Sequence, residues 1–335
     1  YQAIIGPGSK ELLFDIQMVV DGDLLLPVPS WVSYAPQAML IEDRVIKIPT
    51  VIAENYHITA ERLENAIRSA IREGKNPRKL IVNSPNNPTG LILPPAQISE
   101  IVQICRKYDI LVISDEIYGL VDYKGEHVSI ARFYPEGTIV TSGLSKHLSL
   151  GGFRLGIILI PKTLMAIYDG VVRVASETWS CVSAPIQFAS IQAFKNDSQI
   201  EDYIRSCTQI HALVSQYVRA ALANIGVDYP DPQGAFYLYP DFEPFRAKLR
   251  ERGIETSDQL AIDLLKKTHI ASLPGTSFGD EPGKLRLRLA SCDFDGQTAL
   301  DFFEDHPSCS PEKLVSACCP NIKLACERLE SYFFL

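Results

Sequence analysis

The sequence predicts an α/β protein: a mostly parallel central sheet flanked by helices in a large domain, followed by a smaller C-terminal α+β domain. Two observations predict it. In the first part of the chain, apolar runs of strand length alternate with amphipathic segments of helix length. Beyond a long amphipathic stretch that begins at Gln199, that alternation gives way to short mixed segments. The length of 335 residues suits two domains, at about 150 residues each. The boundary is read at 1–210 and 211–335.

The elements follow in order. Ile4 and Ile5 form a short extended piece that meets Gly6, Pro7, Gly8, Ser9 and Lys10 before a helical run over 11–20, and backbone amides at that helix start can hold a phosphate. Residues 80–83 read as a buried strand. Pro94 and Pro95 open a helix with Ile98, Ile101, Val102 and Cys105 on one face, and residues 110–113 form a second strand parallel to the first. The loop from Ser84 to Gly90 is rich in turn residues, and Asp115 lies just past the second strand. A third strand, 138–141, leads to Ser142, Gly143, Leu144, Ser145 and Lys146. Ligands of open α/β sheets bind beyond the carboxyl ends of strands, so Asn87, Asp115 and Lys146 are expected to converge on one crevice. Apolar positions from Ile200 to Ala221 recur at helical spacing and make one long helix bridging to the second domain. Strand-like segments at 235–239 and 285–290, with helices near 257–268 and 321–333, make up that second domain.

Composition narrows the function. Hydrophobic residues at 46% and charged residues at 21%, with 20 Gly and 22 Pro, exclude disordered, collagen-like and coiled-coil chains. A net charge of −8 without long single-sign blocks offers no footprint for nucleic acid or anionic lipid. No apolar run approaches the ~20 residues of a membrane span. Eight cysteines without a Cys-x-x-Cys pair are too sparse for a disulfide scaffold and favour a reduced, cytoplasmic setting. Cys309, Cys318, Cys319 and Cys326 fit no common zinc spacing, so no metal site is expected.

Lys146 is the focus of the chemistry. A lysine amine attacks an aldehyde when a cleft leaves part of it neutral. Standing alone it reads as a solvated surface charge, but its company changes that reading. Pyridoxal phosphate needs an anion for its ring nitrogen, donors for its phenolate, a cradle for its phosphate and an amine for its aldehyde. Asp115 supplies the anion, Tyr118 and Asn87 the phenolate donors, and Arg154 a bidentate phosphate clamp. Gly8, Ser9 and Lys10 supply the helix-start cradle, and Trp31 a flat face for the ring.

On these residues the sequence resembles the fold-type-I pyridoxal-phosphate enzymes of the class I/II aminotransferases. Asn83 through Gly90 match the family's Asn-Pro-Thr-Gly loop, and Ser114 to Tyr118 its Asp-x-x-Tyr element. Ser145 and Lys146 through Gly152, Phe153, Arg154, Leu155 and Gly156 match the cofactor-lysine segment. Gly234 to Tyr237, Pro274 to Gly279 and Arg286 to Ala290 look like the small-domain strands. The resemblance implies amino-group transfer from an L-amino acid to a 2-oxo acid by a ping-pong route through a Schiff base on Lys146, which also shuttles protons. It implies pyridoxal 5'-phosphate as cofactor, and Arg288, with Arg286 as the alternative, as the clamp on the substrate carboxylate, with Asn87 beside the substrate. It implies a homodimer with active sites shared between subunits. A lyase reaction on the same fold, and an aminotransferase-like sensor domain of a transcription regulator, are the rival readings. Two departures stand out. Gly143 occupies the place of a phosphate-binding serine, leaving Ser142 and Ser145 as alternatives. The family's N-terminal arm has no counterpart in a chain that opens at Tyr1.

Overall fold

The structure, a computed structural model, describes residues 1–195, 197–227 and 229–334. It divides into two compact units, Tyr1–Pro85 with Ile92–Ile204, and Asn86–Leu91 with Arg205–Leu335. A single boundary at residue 210 does not describe this division, because the loop segment Asn86–Leu91 groups with the second unit. Its backbone explains why: the Gly90 carbonyl accepts from the Gln233 and Gly234 amides at 2.8 and 2.9 Å.

The first unit is built on strands β1 (Gln2–Gly6), β2 (Asp23–Val28), β3 (Val45–Pro49), β4 (Pro77–Asn83), β5 (Leu111–Asp115), β6 (Thr138–Gly143) and β7 (Gly156–Ile160). They form one seven-stranded sheet in the order β1-β7-β6-β5-β4-β2-β3. From β3 to β6 every neighbouring pair is parallel, and β7 runs antiparallel to both β6 and β1. The helices are α1 (Ser9–Val19), α2 (Tyr34–Leu40), α3 (Ala60–Arg72), α4 (Pro95–Lys107), α5 (Met165–Thr178) and α6 (Ala184–Ala193), and α7 (Ser198–Ile225) carries the chain on.

Strands of a doubly covered sheet must be apolar on both faces, and alternation assigns each residue to its side. Leu25, Leu80, Val82 and Val112 pack with Leu63 and Ile67 of α3 and with Ile98 and Ile101 of α4. Leu24, Leu26, Ile81 and Ile113 pack with Leu12, Leu13 and Ile16 of α1 and Val171 of α5. The strand–helix–strand unit expected around residues 80–113 is present as β4, α4 and β5, with the two strands parallel. Asp115, expected just past the second strand, is that strand's last residue.

The second unit holds a small antiparallel sheet, β8 (Tyr237–Leu238), β9 (Leu273–Pro274) and β10 (Leu287–Ala290), in the order β8-β10-β9. Around it lie α8 (Arg246–Glu251), α9 (Ser257–Thr268), α10 (Gly296–Asp305), α11 (Pro311–Cys318) and α12 (Pro320–Phe334). The strand expected over 235–239 is shorter, Tyr237–Leu238, and Ala235 takes a left-handed φ of 57° in the turn that leads into it. The C-terminal half of the predicted α7 stripe is buried, with Ile210, Val214, Val218 and Ala221 in one core with Leu287 and Leu289 of β10, while Ile200, Tyr203, Ile204 and Cys207 are only partly buried. Cys318, Cys319 and Cys326 lie in that same core with Cys309 packed against it, so these thiols are used as small apolar side chains. No helix among the described residues is long and apolar enough to cross a membrane.

Candidate active site

In the first unit the carboxyl ends of β4, β5 and β6 lie side by side, and each ends in a polar residue or a glycine. Asn83 closes β4 and donates its side-chain amide to the Asp115 carbonyl at 2.9 Å, fixing the backbone from which the Asp115 carboxylate projects. That carboxylate belongs to a residue only 3% exposed. Tyr34 donates to its Oδ2 at 2.6 Å, while the Thr141 hydroxyl and the Ile117 amide donate to Oδ1 at 3.2 Å each. Burial raises the Asp115 pKa, and these three donors pull it back. Every one of these donors is neutral, so no cation compensates the burial of this carboxyl among its hydrogen-bond partners. A bound ring nitrogen carrying a proton is the partner such a carboxylate fits.

Lys146 follows the end of β6 by three residues and is half-buried, with its ammonium 5.5 Å from the centre of the buried Tyr118 ring. Its neighbour His147 is buried, and desolvation lowers its pKa to about 4, so it is a neutral ring at neutral pH. The departure at Gly143 has a packing cause. A Cβ there would sit 2.7 Å from the Leu155 carbonyl oxygen and 3.1 Å from the Gly156 Cα, so a serine side chain has no room.

The turn from β1 into α1 supplies the second feature. Gly8, at φ 105°, precedes the first helical residue, Ser9, and its amide donates to the Gly6 carbonyl at 2.8 Å. Arg154, itself left-handed at φ 53°, donates Nη2 to the Pro7 carbonyl at 3.2 Å and Nη1 to the Gly151 carbonyl at 2.8 Å. A Cβ on Gly8 would collide with that guanidinium. The fork and the backbone amides at the start of α1 thus stand together, as a phosphate requires. Lys10 places its ammonium 5.2 Å from the Trp31 ring centre, and its carbonyl accepts from Gln37 at 2.8 Å.

Of the residues singled out from sequence, Gly8, Ser9, Lys10, Trp31, Asp115, Tyr118, Lys146 and Arg154 lie in the first unit, and Asn87 and Arg288 in the second. Arg288, on β10, packs its guanidinium 4.6 Å from the Tyr237 ring centre and 5.2 Å from that of Phe278, and donates Nη1 to the Asn87 side-chain oxygen at 3.2 Å. Its Nε is buried with no hydrogen-bond partner among the described residues. Arg286 differs: Nε donates to Asp241 at 2.8 Å and Nη1 to Asp280 at 3.2 Å, and Tyr239 also donates to Asp280 at 2.8 Å. Sequence reasoning missed Tyr34 and Thr141. The sequence signal nearest to Tyr34 is Trp31, three residues earlier, which reads only as a ring stack.

Comparison with known proteins identifies the family. The family model for "Aminotransferase class I and II" matches residues 1–296. An aspartate aminotransferase of Bacillus sp. (strain YM-2) is 33% identical over 297 residues, covering 87% of this chain and 72% of the relative. The aspartate/prephenate aminotransferase of Thermus thermophilus is 28% identical over 305 residues, covering 90% and 74%. Among solved structures, the aromatic aminotransferase of Pyrococcus horikoshii OT3 superposes with a TM-score of 0.80 at 26% identity, covering 99% of this chain and 79% of that one. The fold and the family match define a fold-type-I pyridoxal-phosphate enzyme. The chain belongs to the class I and II aminotransferase family and is a transaminase, with pyridoxal 5'-phosphate as its cofactor and an amino acid and a 2-oxo acid as its substrates.

Proposed function

We propose that this transaminase takes L-aspartate as amino donor, as the names of its relatives indicate, and that Asp115, Lys146, Arg154 and Arg288 carry the reaction. The observation that supports the site most strongly is the Asp115 carboxylate, buried among neutral donors only. Asp115 holds a proton on the cofactor's ring nitrogen. Arg154 and the amides of Gly8, Ser9 and Lys10 hold its phosphate, Trp31 covers its face, and Tyr118 and Asn87 donate to its phenolate oxygen. Lys146 holds its aldehyde, and Lys146 Nζ then moves the substrate's α-proton. When bound, the cofactor supplies an electron sink for the charge that this proton leaves behind. Arg288 receives the substrate's α-carboxylate on the edge where Nε is unpartnered, with its plane held by Tyr237 and Phe278.

The test is a half-reaction. Mixing the cofactor-loaded protein with L-aspartate alone bleaches the absorption band once and releases one equivalent of the matching oxo acid. A second 2-oxo acid then restores the band and permits steady turnover. Continuous release of ammonia and an oxo acid without any acceptor replaces the transaminase mechanism with the lyase one.

We also propose a homodimer. Helix α6 and its C-terminal cap expose Phe188 at 75%, Ile191 at 55% and Phe194 at 52%, an apolar face that water disfavours and a second copy would cover. Phe188→Asp is expected to shift the protein from dimer to monomer in sedimentation velocity, and an unchanged dimer places the interface elsewhere. The eight cysteines, all free, support a reducing compartment such as the cytoplasm.

A further inference from the structure

Helix α2 has only seven residues, yet it reaches both halves of the cofactor site in the first unit. Its first residue, Tyr34, is 1% exposed and donates to Asp115 Oδ2 at 2.6 Å. One turn later, Gln37 donates to the Lys10 carbonyl at 2.8 Å and accepts from Gln17 at 3.1 Å. The Trp31 ring meets the Tyr34 ring edge-on, with centroids 5.1 Å apart and planes at 78°. The short helix therefore ties the turn at the start of α1 to the carboxylate at the end of β5.

The donors on Asp115 show what this bracing does. Oδ1 accepts from Thr141 and Ile117, and Oδ2 accepts from Tyr34. One acceptor position on Oδ2 is left for a ring N–H. Burial and the adjacent carboxylate hold the Tyr34 phenol well above its ordinary pKa, so it remains a donor across the working range. A short bond to a charged acceptor lowers that acceptor's proton affinity, and in a low-dielectric site the effect is large.

We propose that Tyr34 is a positioning residue for Asp115, setting the carboxylate's orientation and weakening its basicity so that the shared proton stays on the cofactor's ring nitrogen. The inference rests on Asp115 being the partner of that nitrogen. Without the phenol the proton moves from the ring nitrogen to Asp115 Oδ2, one N–H bond breaking as one O–H bond forms, with no change in net charge.

The experiment uses holoenzyme reconstituted with pyridoxal phosphate labelled with 15N in the ring, observed by NMR at one neutral pH, with Asp115→Asn as the reference for an unprotonated ring. Tyr34→Phe is expected to give a ring-nitrogen shift between those of wild type and Asp115→Asn. Its kcat falls by about tenfold with KM little changed, as loss of one hydrogen bond to a charged group implies. A Tyr34→Phe signal coincident with wild type, while Asp115→Asn is displaced, overturns the proposal. An Asp115→Asn signal coincident with wild type instead overturns the assignment of Asp115 itself. Should Tyr34→Phe not fold, Thr141→Val removes a donor from the same carboxylate and is expected to displace the signal in the same direction. An unmoved signal there also overturns the proposal.

Discussion

Lys146→Ala is expected to leave a folded, cofactor-binding protein whose turnover is lower by on the order of 10⁴-fold or more, because the proposed site gives one side chain both the covalent anchor and the proton transfer. The stability cost is small. Lys146 is half-buried in a loop beyond β6 and belongs to neither apolar core of the sheet. Asp115→Asn separates electrostatics from that covalent role. The amide keeps the volume and can still accept from Tyr34 or Thr141, but it carries no charge, and a loss of about 10²–10³-fold in kcat follows from removing one fixed electrostatic partner.

The same substitution has a second signature, in the apoprotein. Burial raises the Asp115 pKa in the fold. A carboxyl whose folded pKa exceeds its unfolded value contributes stability at pH below the unfolded value and loses it as pH rises through the folded one. At neutral pH the unfolded chain ionises this group freely, and the fold disfavours that ionisation. Asp115→Asn apoprotein is expected to melt higher than wild-type apoprotein at neutral pH, with the gain fading below about pH 4, the ordinary aspartate range. Calorimetry across pH reads this directly, and a lower melting temperature at neutral pH would falsify the view that this carboxylate is held for function at the fold's expense.

Much of this was legible in the chain because the signals are local. Leu80, Ile81 and Val82 announce a buried strand, and Pro94 and Pro95 announce the start of α4. The candidate residues Asp115 and Lys146 stand at or just past strand ends, where polar residues interrupt apolar runs. What stayed hidden depends on distance along the chain. Tyr34 and Asp115 are 81 residues apart, and nothing around Tyr34 marks its hydroxyl as a partner for a carboxylate. Gly143 stands out as a departure, but its cause is the Leu155 carbonyl beside the neighbouring strand, which only register reveals. The membership of Asn86–Leu91 in the second unit is likewise a matter of hydrogen bonds to Gln233 and Gly234 far downstream.

The two arginines of the small sheet show where sequence periodicity stops and packing decides. Strand alternation places Arg286 and Arg288 on one face, yet their partners separate them. Arg286 is neutralised by Asp241 and Asp280, and its side chain and theirs are all close to fully buried. Removing it leaves two buried carboxylates without their shared guanidinium; among the described residues the Tyr239 hydroxyl still donates to Asp280 and the Glu243 amide to Asp241, while the Arg246 charge reaches Asp241 only through space. Arg286→Ala is therefore expected to lose about 3–5 kcal/mol of folding stability, read by denaturant unfolding. Arg288 has aromatic rings and an amide oxygen for neighbours in place of acids, and its Nε is unsatisfied. Arg288→Ala is expected to cost only about 1–2 kcal/mol of stability, from lost contacts between its charge and two rings. In kcat/KM for the amino acid the loss is roughly 30- to 1,000-fold, as truncating a buried partner of a carboxylate implies. Arg288→Lys keeps the charge but not the fork, and falls between wild type and Arg288→Ala. If Arg286→Ala stays stable and loses substrate affinity while Arg288→Ala unfolds, the clamp is Arg286 and the roles of the two arginines are exchanged.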